Sequence, residues 1–318
     1  MASDEFSIID RYFSAVGKSA YRSRLAIGDD AAIVDVPADR QLVMSMDTLN
    51  SGVHFPQGAD PADLACKALA VNLSDLAAMA AEPAWFLLSL TLPEIDEHWL
   101  QRFSDSLKQM AQTYQVELIG GDTCRGPLSI TIQIAGLVPR DCYVTRAQAR
   151  PGDLVVVSGE LGNAALGLAH LQQKIQLPDD LQALCLASLN RPRPRLELTP
   201  FLSAFATAAI DLSDGLQGDL QHILAASGVG ALIKRDHLPV NHWIKRHHAY
   251  QYALTGGDDY EICCTLAAAR LGEVETWNQA NPHCQLSVIG EITESGFYLQ
   301  QGDALIDLSG SRGYQHFT

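Results

Sequence analysis

Residues 60–92, DPADLACKALAVNLSDLAAMAAEPAWFLLSLTL, contain the pattern that decides the fold of this chain. Asp60 followed by Pro61 is a typical helix start, because aspartate caps free backbone amides and proline fits the first turn. The alanine-rich residues after them predict a helix that ends near Ala81. The apolar run at 85–92, which a proline ends, predicts a strand. A helix followed directly by an apolar strand is typical of an α/β domain.

Strands and helices alternate on both sides of this stretch. Gln41–Met46 predicts a buried strand before it. We place a domain boundary at Arg150–Asp153, where a Pro-Gly pair interrupts the pattern. The alternation then resumes, so the sequence predicts two α/β domains of similar size, residues 1–150 and 151–318. The other predicted elements are helices at 96–114, from 162 onward, at 214–226 and at 267–279, and strands at 116–119, 128–138, 154–159, 208–212, 229–234 and 260–265.

The composition excludes several classes of protein. Hydrophobic residues make up 47% of the 318 residues, which is enough for folded cores and excludes a disordered chain. Lys and Arg number 22 and Asp and Glu number 37, and the net charge of −15 makes nucleic acid and anionic membrane surfaces poor partners. A polyphosphate is still compatible with this charge if divalent cations lie between the two sets of negative groups.

The cysteines and the apolar runs bear on the compartment. Seven cysteines occur without the spacing of a zinc site, which is typical of buried thiols in a reducing compartment. The first ten residues lack the apolar block of a signal peptide, and the run at 85–92 is too short to cross a bilayer. We therefore expect a cytoplasmic protein without a membrane segment.

Aspartate recurs next to predicted strands, usually beside glycine. Ligands of α/β proteins bind at strand ends, and glycine lets a phosphate approach the backbone. The repetition predicts a polyphosphate site with several metal ions. The alternative is that these aspartates are ordinary helix caps and turns. The five positions are Gly28–Asp30, Asp47, Gly120–Asp122, Asp211 with Asp214, and Gly256–Asp259.

Asp75 is the most informative single residue. It lies in the predicted helix among small apolar residues, and Asn72 shares its face of that helix. A carboxylate in such packing is costly unless it is paired or binds a metal ion. The alternative partner is Lys67, but eight residues separate the two, which is more than two helical turns. This spacing favours a metal ligand.

Four further residues have ordinary interpretations when each is taken alone. His54 is typical of a packed core histidine, and Arg146 of a surface charge. Glu261 alternates with apolar neighbours and is compatible with a solvent-facing side chain. Tyr314 is an aromatic residue near the end of the sequence.

Taken together, the sequence resembles the thiamine-monophosphate kinase family, which is related to aminoimidazole ribonucleotide synthetase and selenophosphate synthetase. The combination of KALAVNLSD, GGDT and DLSDGL is highly specific, and the matching stretches run in family order along nearly the whole chain. These stretches are 27–32, 46–55, 67–83, 120–132, 144–153, 157–168, 209–216, 256–263 and 313–317.

This resemblance implies a fold, a reaction and a set of site residues. The fold is two α/β domains of the aminoimidazole ribonucleotide synthetase type, with a homodimer formed through the N-terminal sheets. The reaction is transfer of a phosphoryl group from ATP to thiamine phosphate, which gives thiamine diphosphate with the help of several Mg²⁺ ions. The implied metal ligands are Asp30, Ser45, the backbone of Met46, Asp47, Asp75, Asp122, Asp211 and Asp214. The implied ATP contacts are Gly121, Asp122, Arg146 and Ser213, and the implied thiamine phosphate contacts are His54, Glu261 and Tyr314.

Three departures from the family pattern remove none of these ligands. Met46 stands where Thr or Ser is common, Asp258 replaces a usual Glu, and Ala80 replaces a common Gly. No general base is expected, since the acceptor phosphate is already largely ionised near neutral pH.

The alternative functions are a related ATP-consuming synthetase and a non-catalytic nucleotide-binding regulator. A selenophosphate synthetase is expected to carry a reactive cysteine near its N-terminus, whereas the first cysteine here is Cys66.

Overall fold

The computed structural model describes residues 5–310, which divide into two compact units. The first unit comprises the residues up to Leu76 and Ala81–Cys142, and the second comprises Ala77–Ala80 and the residues from Tyr143 onward. Among the described residues, no helix combines the length and the apolar character that crossing a membrane requires.

The first unit is built on a four-stranded mixed sheet in the order β1-β4-β2-β3. β4 is antiparallel to both β1 and β2, and β2 is parallel to β3. Its elements are a short helix α1 (Glu5–Ile8), a π-helical turn (Ile9–Phe13), β1 (Arg40–Asn50), α2 (Pro61–Ala78), β2 (Glu82–Leu92), α3 (Glu97–Thr113), β3 (Glu117–Arg125) and β4 (Ser129–Pro139).

Helix α2 begins as predicted and is buried along most of its length. Asp60 caps it, since its carboxylate accepts a hydrogen bond from the amide of Ala62 at 2.8 Å. Leu69, Leu73 and Leu76 are fully buried. The helix ends before Ala80, whose φ of 56° is in the left-handed region. Glycine would adopt this conformation without the steric cost that the Cβ of Ala80 brings.

Residues Gln41–Met46 form part of strand β1, but the prediction that this strand is buried is wrong. Leu42, Met44 and Met46 are 42%, 53% and 64% exposed. β1 is an edge strand, and these residues lie on the face opposite Ser45 and Asp47. The sequence pattern is apolar on both faces, but α2 contacts only one of them.

Strand β3 is longer than the predicted segment at 116–119 because it continues beyond a bulge. Phe86 pairs with Leu118 and Leu87 with Gly120, so one residue of β3 is left without a partner in β2. Gly120–Asp122 therefore lies within a strand and not at its end. Asp47 likewise lies inside β1, whose pairing with β4 continues to Asn50.

The second unit contains a seven-stranded sheet in the order β11-β10-β7-β9-β5-β8-β6. Its strands are β5 (Asp153–Ser158), β6 (Ala206–Asp211), β7 (Gly230–Lys234), β8 (Ile262–Ala267), β9 (Leu286–Thr293), β10 (Phe297–Gln301) and β11 (Ala304–Asp307). Its helices are α4 (Asn163–Leu171), α5 (Asp179–Asn190), α6 (Thr199–Phe205), α7 (Leu216–Ser227), α8 (His242–His247), α9 (Gln251–Leu254) and α10 (Leu271–Ala280).

The second unit begins upstream of the predicted boundary at Arg150–Asp153. Val144 is buried in one of its hydrophobic clusters. The amide of Ala209 in β6 donates a hydrogen bond to the carbonyl of Thr145 at 3.0 Å. These contacts attach the residues before the Pro-Gly pair to the second sheet.

We expect Gly121→Ala to destabilise the first unit strongly. A Cβ at this position would lie 1.8 Å from the carbonyl oxygen of Leu88, and the neighbouring backbone would have to move. The expected loss in the free energy of unfolding is about 2–4 kcal/mol, measured by urea denaturation. Gly120→Ala is the matched control, because its Cβ would meet only the end of the Leu87 side chain at 3.1 Å. Equal losses in the two variants would contradict the steric explanation.

Candidate functional site

A cleft of about 1160 Å³ lies in the first unit, and we call it the acidic cleft. It opens on the sheet face opposite α2. On this face, Met46 of β1 and Leu87 of β2 each pair with Gln133 of β4, and all three residues line the cleft. Segments 27–32 and 118–123 form much of its lining. The cleft therefore collects two of the aspartate–glycine motifs that the sequence singles out.

The lining gives the acidic cleft its electrostatic character. Asp30 and Asp122 are exposed to solvent within it, and Asp10 and Asp29 also line it. Its described lining residues include no lysine and no arginine. Carboxylates repel phosphate, so a phosphate ligand here requires a bound cation. Gly121 supplies backbone without a side chain, which allows close approach by a ligand.

A second cluster joins β1 to α2 on the other face of the sheet. The hydroxyl of Ser45 donates a hydrogen bond to the carboxylate of Asp75. The amide of Asp47 donates to Oδ1 of Asn72 at 3.1 Å, and Asn72 is itself fixed by a bond to the carbonyl of Ala68 at 2.9 Å. Burial, and then the charge of Asp75, raise the pKa of Asp47 to about 6. A carboxylate whose ionisation is disfavoured by burial and by a neighbouring carboxylate is a place where a bound cation is stabilised.

The structure thus divides the predicted first-unit ligands into two groups. Ser45, Asp47 and Asp75 meet beside α2, whereas Asp30 and Asp122 line the acidic cleft. Met46, whose backbone is the predicted ligand, lies between Ser45 and Asp47 in β1. Strand alternation turns its side chain away from theirs, and it lines the cleft. Across residues 5–310, no group of three or more His, Cys, Asp or Glu side chains is arranged to hold a metal ion.

In the second unit, three predicted residues lie where β6 meets α7. Asp211 is the last residue of β6 and is buried, which confirms its placement at a strand end. Ser213 and Asp214 follow in the loop before α7 and are half-buried. Arg146 is exposed, and its carbonyl accepts a hydrogen bond from the hydroxyl of Ser227 at 3.2 Å.

Asp219 is a buried carboxylate that the sequence reasoning missed. It accepts a hydrogen bond from the amide of Asp214 at 3.0 Å and is 3% exposed. Burial is the main cause that raises the pKa of Asp219 to about 7, while its bonds from the amides of Asp214 and Ser213 act in the opposite direction. An aspartate near the start of the helix predicted at 214–226, inside DLSDGLQGD, was the available signal.

Glu261 is buried, so the interpretation of a solvent-facing side chain is wrong. Arg195 donates to its carboxylate through Nη2 and, at 2.6 Å, through Nε, and the hydroxyl of Ser158 donates to it as well. Burial alone would lower the pKa of Arg195, but the bonds and charge of Glu261 raise it above its ordinary value. Arg195 is not among the predicted site residues, because its partner Glu261 is distant in sequence.

The two other residues predicted to contact thiamine phosphate are His54 and Tyr314. Nδ1 of His54 accepts a hydrogen bond from the amide of Asn50 at 3.0 Å and so helps to close the turn after β1. Tyr314 lies outside the described residues.

Comparison with protein families covers both units. The model of the AIR synthase related protein N-terminal domain matches residues 28–138, and that of the C-terminal domain matches residues 150–300. The chain belongs to the AIR synthase related family. Its hydrogenase maturation protein HypE neighbours, such as the E. coli protein at a TM-score of 0.79 and 19% identity, share the fold.

Within the AIR synthase related family, this chain is similar to thiamine-monophosphate kinases along its full length. It is 45% identical to the Escherichia coli K12 protein, with 100% of this chain and 99% of that protein covered. The structure of the Stenotrophomonas maltophilia enzyme matches with a TM-score of 0.82 and 44% identity, over 89% of this chain and 92% of the other. A structure of AaThiL complexed with AMPPCP and TMP matches with a TM-score of 0.76 and 31% identity, over 92% of each chain.

We expect Asp47→Asn to stabilise the ligand-free protein near neutral pH. The pKa of Asp47 is raised from 3.8 to about 6, so its contribution to stability is present below pH 4 and is lost as the pH rises through 6. Asparagine does not ionise, and the variant should gain about 1–2 kcal/mol at pH 7 and nothing at pH 4, allowing for partial exposure. Denaturant unfolding at the two pH values measures this difference. Asp39→Asn, at an exposed position of the same unit, is the control, and equal pH dependence in both variants would refute the assignment.

Proposed function

We propose that this chain is a thiamine-monophosphate kinase, which transfers the γ-phosphate of ATP to thiamine phosphate and forms thiamine diphosphate. The observation that carries the proposal is the acidic cleft, in which Asp30, Gly121 and Asp122 line one opening. Full-length relatives that are thiamine-monophosphate kinases support it. The complex of AaThiL with AMPPCP and TMP supports it too, because AMPPCP is an ATP analogue.

Mg²⁺ fits the donors that the first unit offers. Magnesium prefers oxygen ligands and is usually bound by one or two carboxylates together with substrate phosphates, so it does not require a complete protein cage. The pair of Asp47 and Asp75 is of this kind, since burial and then the charge of Asp75 raise the cost of ionising Asp47. When bound, Mg²⁺ would offset the charge of the phosphates. The proposed ligands are Asp30, Ser45, the backbone of Met46, Asp47, Asp75, Asp122, Asp211 and Asp214.

The residues of this chain have to bind and align two polyanions. The acceptor is a phosphate whose second pKa is about 6, so it is largely ionised at pH 7 and no side chain has to accept a proton from it. The rate then depends on placing the two phosphates in line. We propose ATP contacts at Gly121, Asp122, Arg146 and Ser213, of which Arg146 brings the positive charge.

We propose that His54, Glu261 and Tyr314 contact thiamine phosphate. Arg195 and Ser158 hold Glu261 from two directions. Any contact made by Glu261 would therefore come from a carboxylate in a fixed orientation, which favours one geometry of the acceptor.

We also propose that the enzyme is a cytoplasmic homodimer formed through the N-terminal sheets. The exposed apolar residues Leu42, Met44 and Met46 on the edge strand β1 support this interface. The cysteines are all free thiols, which supports a reducing compartment.

The alternatives differ from the kinase in what they do with ATP. A selenophosphate synthetase would need a reactive cysteine near its N-terminus, whereas Cys66 is buried in α2. Incubation with ATP, Mg²⁺ and thiamine phosphate should yield thiamine diphosphate, detected by mass. Consumption of ATP without thiamine diphosphate would favour a synthetase, and binding without turnover would favour a regulator.

We expect Asp75→Asn to abolish turnover, with a loss of about a hundredfold or more, because the amide keeps the shape of the side chain and removes its charge. Thermal melting should show that the variant is folded. Asp63→Asn, in the first turn of the same helix, is the matched control and should keep its activity. An active Asp75→Asn enzyme would eliminate the metal role of Asp75.

A further inference from the structure

We propose that Asp219 is a positioning residue for ATP binding, which holds the loop of Ser213 and Asp214 in its working conformation. The inference rests on the proposed function and extends it to a residue outside the proposed ATP contacts and metal ligands. The evidence for it is the hydrogen bonds that fix the amide groups and the carbonyl groups of this loop.

The carboxylate of Asp219 fixes the amide groups of the loop. Oδ2 accepts a hydrogen bond from the amide of Asp214 at 3.0 Å, and the amide of Ser213 also bonds to this carboxylate. Asp219 is 3% exposed, so water does not compete for these bonds. One buried side chain thereby sets two consecutive peptide groups, and these belong to a proposed ATP contact and a proposed metal ligand.

The carbonyl groups of the same loop are fixed separately by residues 256–260. The amide of Asp258 donates to the carbonyl of Ser213 at 2.8 Å, and the amide of Tyr260 donates to that of Leu212 at 2.8 Å. Gly215 follows with a φ of 101°, and a Cβ there would lie 2.8 Å from the carbonyl of Gly256. The loop is therefore closely confined, and Asp219 supplies the contacts on its amide side.

Helix α7 connects this loop with the other proposed ATP contact of the second unit. Asp219 lies in its first turns, and Ser227 is its last residue. The hydroxyl of Ser227 donates to the carbonyl of Arg146, and the amide of Ala149 donates to that hydroxyl at 3.2 Å. The charge of Arg146 also acts on the carboxylate of Asp219. Loss of Asp219 should therefore disturb the nucleotide side of the site selectively.

The test compares Asp219→Ala with Asp153→Ala by calorimetric titration with AMPPCP and Mg²⁺, by KM values and by thermal melting. Asp153 is a matched control, because it is 5% exposed and accepts bonds from the amide of Arg150 at 3.0 Å and the hydroxyl of Thr207 at 2.7 Å. It lies at the start of β5, near the start of β6, whereas Asp211 ends β6.

We expect Asp219→Ala to weaken AMPPCP binding and raise the KM for ATP at least about tenfold, with the KM for thiamine phosphate unchanged. Asp153→Ala should lower the melting temperature without this change in nucleotide affinity. Asp219→Asn, which keeps an acceptor oxygen, should restore most of the binding. If Asp219→Ala does not fold, Asp219→Glu replaces it with the same expectation, because the added methylene displaces the carboxylate.

Wild-type affinity in Asp219→Ala, or an equal loss of affinity in Asp153→Ala, would overturn the positioning role and leave the proposed function intact. Failure of the wild-type protein to bind AMPPCP with Mg²⁺ would overturn both. The two failures are thus distinguished by the wild-type titration.

Discussion

Repulsion between carboxylates that the fold places close together is the constraint on which this structure depends. Burial and the charge of Asp75 raise the pKa of Asp47 to about 6, so the ligand-free protein carries an unfavourable interaction at neutral pH. Asp30 and Asp122 add acidic groups to a cleft whose described lining includes no lysine or arginine. With a net charge of −15, cations would offset the repulsion between this protein and a bound polyphosphate. Under the proposed function, bound cations would relieve this repulsion and stabilise the folded protein.

The rest of each unit holds these groups in place. In the first unit, α2 is buried along most of its length and brings Asn72 and Asp75 against β1. In the second unit, Asp219 and residues 256–260 fix the loop after β6 through its amides and its carbonyls. Both arrangements position polar groups through buried contacts, which limits their movement when the ligand is absent.

The sequence predicts the parts of this architecture that depend on local signals. The capped start of α2 at Asp60 and the end of β6 at Asp211 are confirmed, because capping and apolar runs act within a few residues. The exposure of β1 and the bulged extension of β3 were not predicted, since pairing with strands distant in sequence decides them. Arg195 and Glu261 are 66 residues apart, and no local pattern indicates that they pair. The side chain of Met46 faces away from those of Ser45 and Asp47 by strand alternation, once β1 is known to have one open face.

We propose that metal ions join the nucleotide to the acidic groups of this chain. The most direct measurement is the melting temperature of the wild-type protein with Mg²⁺ alone, with AMPPCP alone and with both together. A ligand that binds only the folded state raises this temperature by mass action. We expect the shift with both ligands to exceed the sum of the separate shifts. A shift equal to that sum would contradict it, because the nucleotide would then bind independently of the metal.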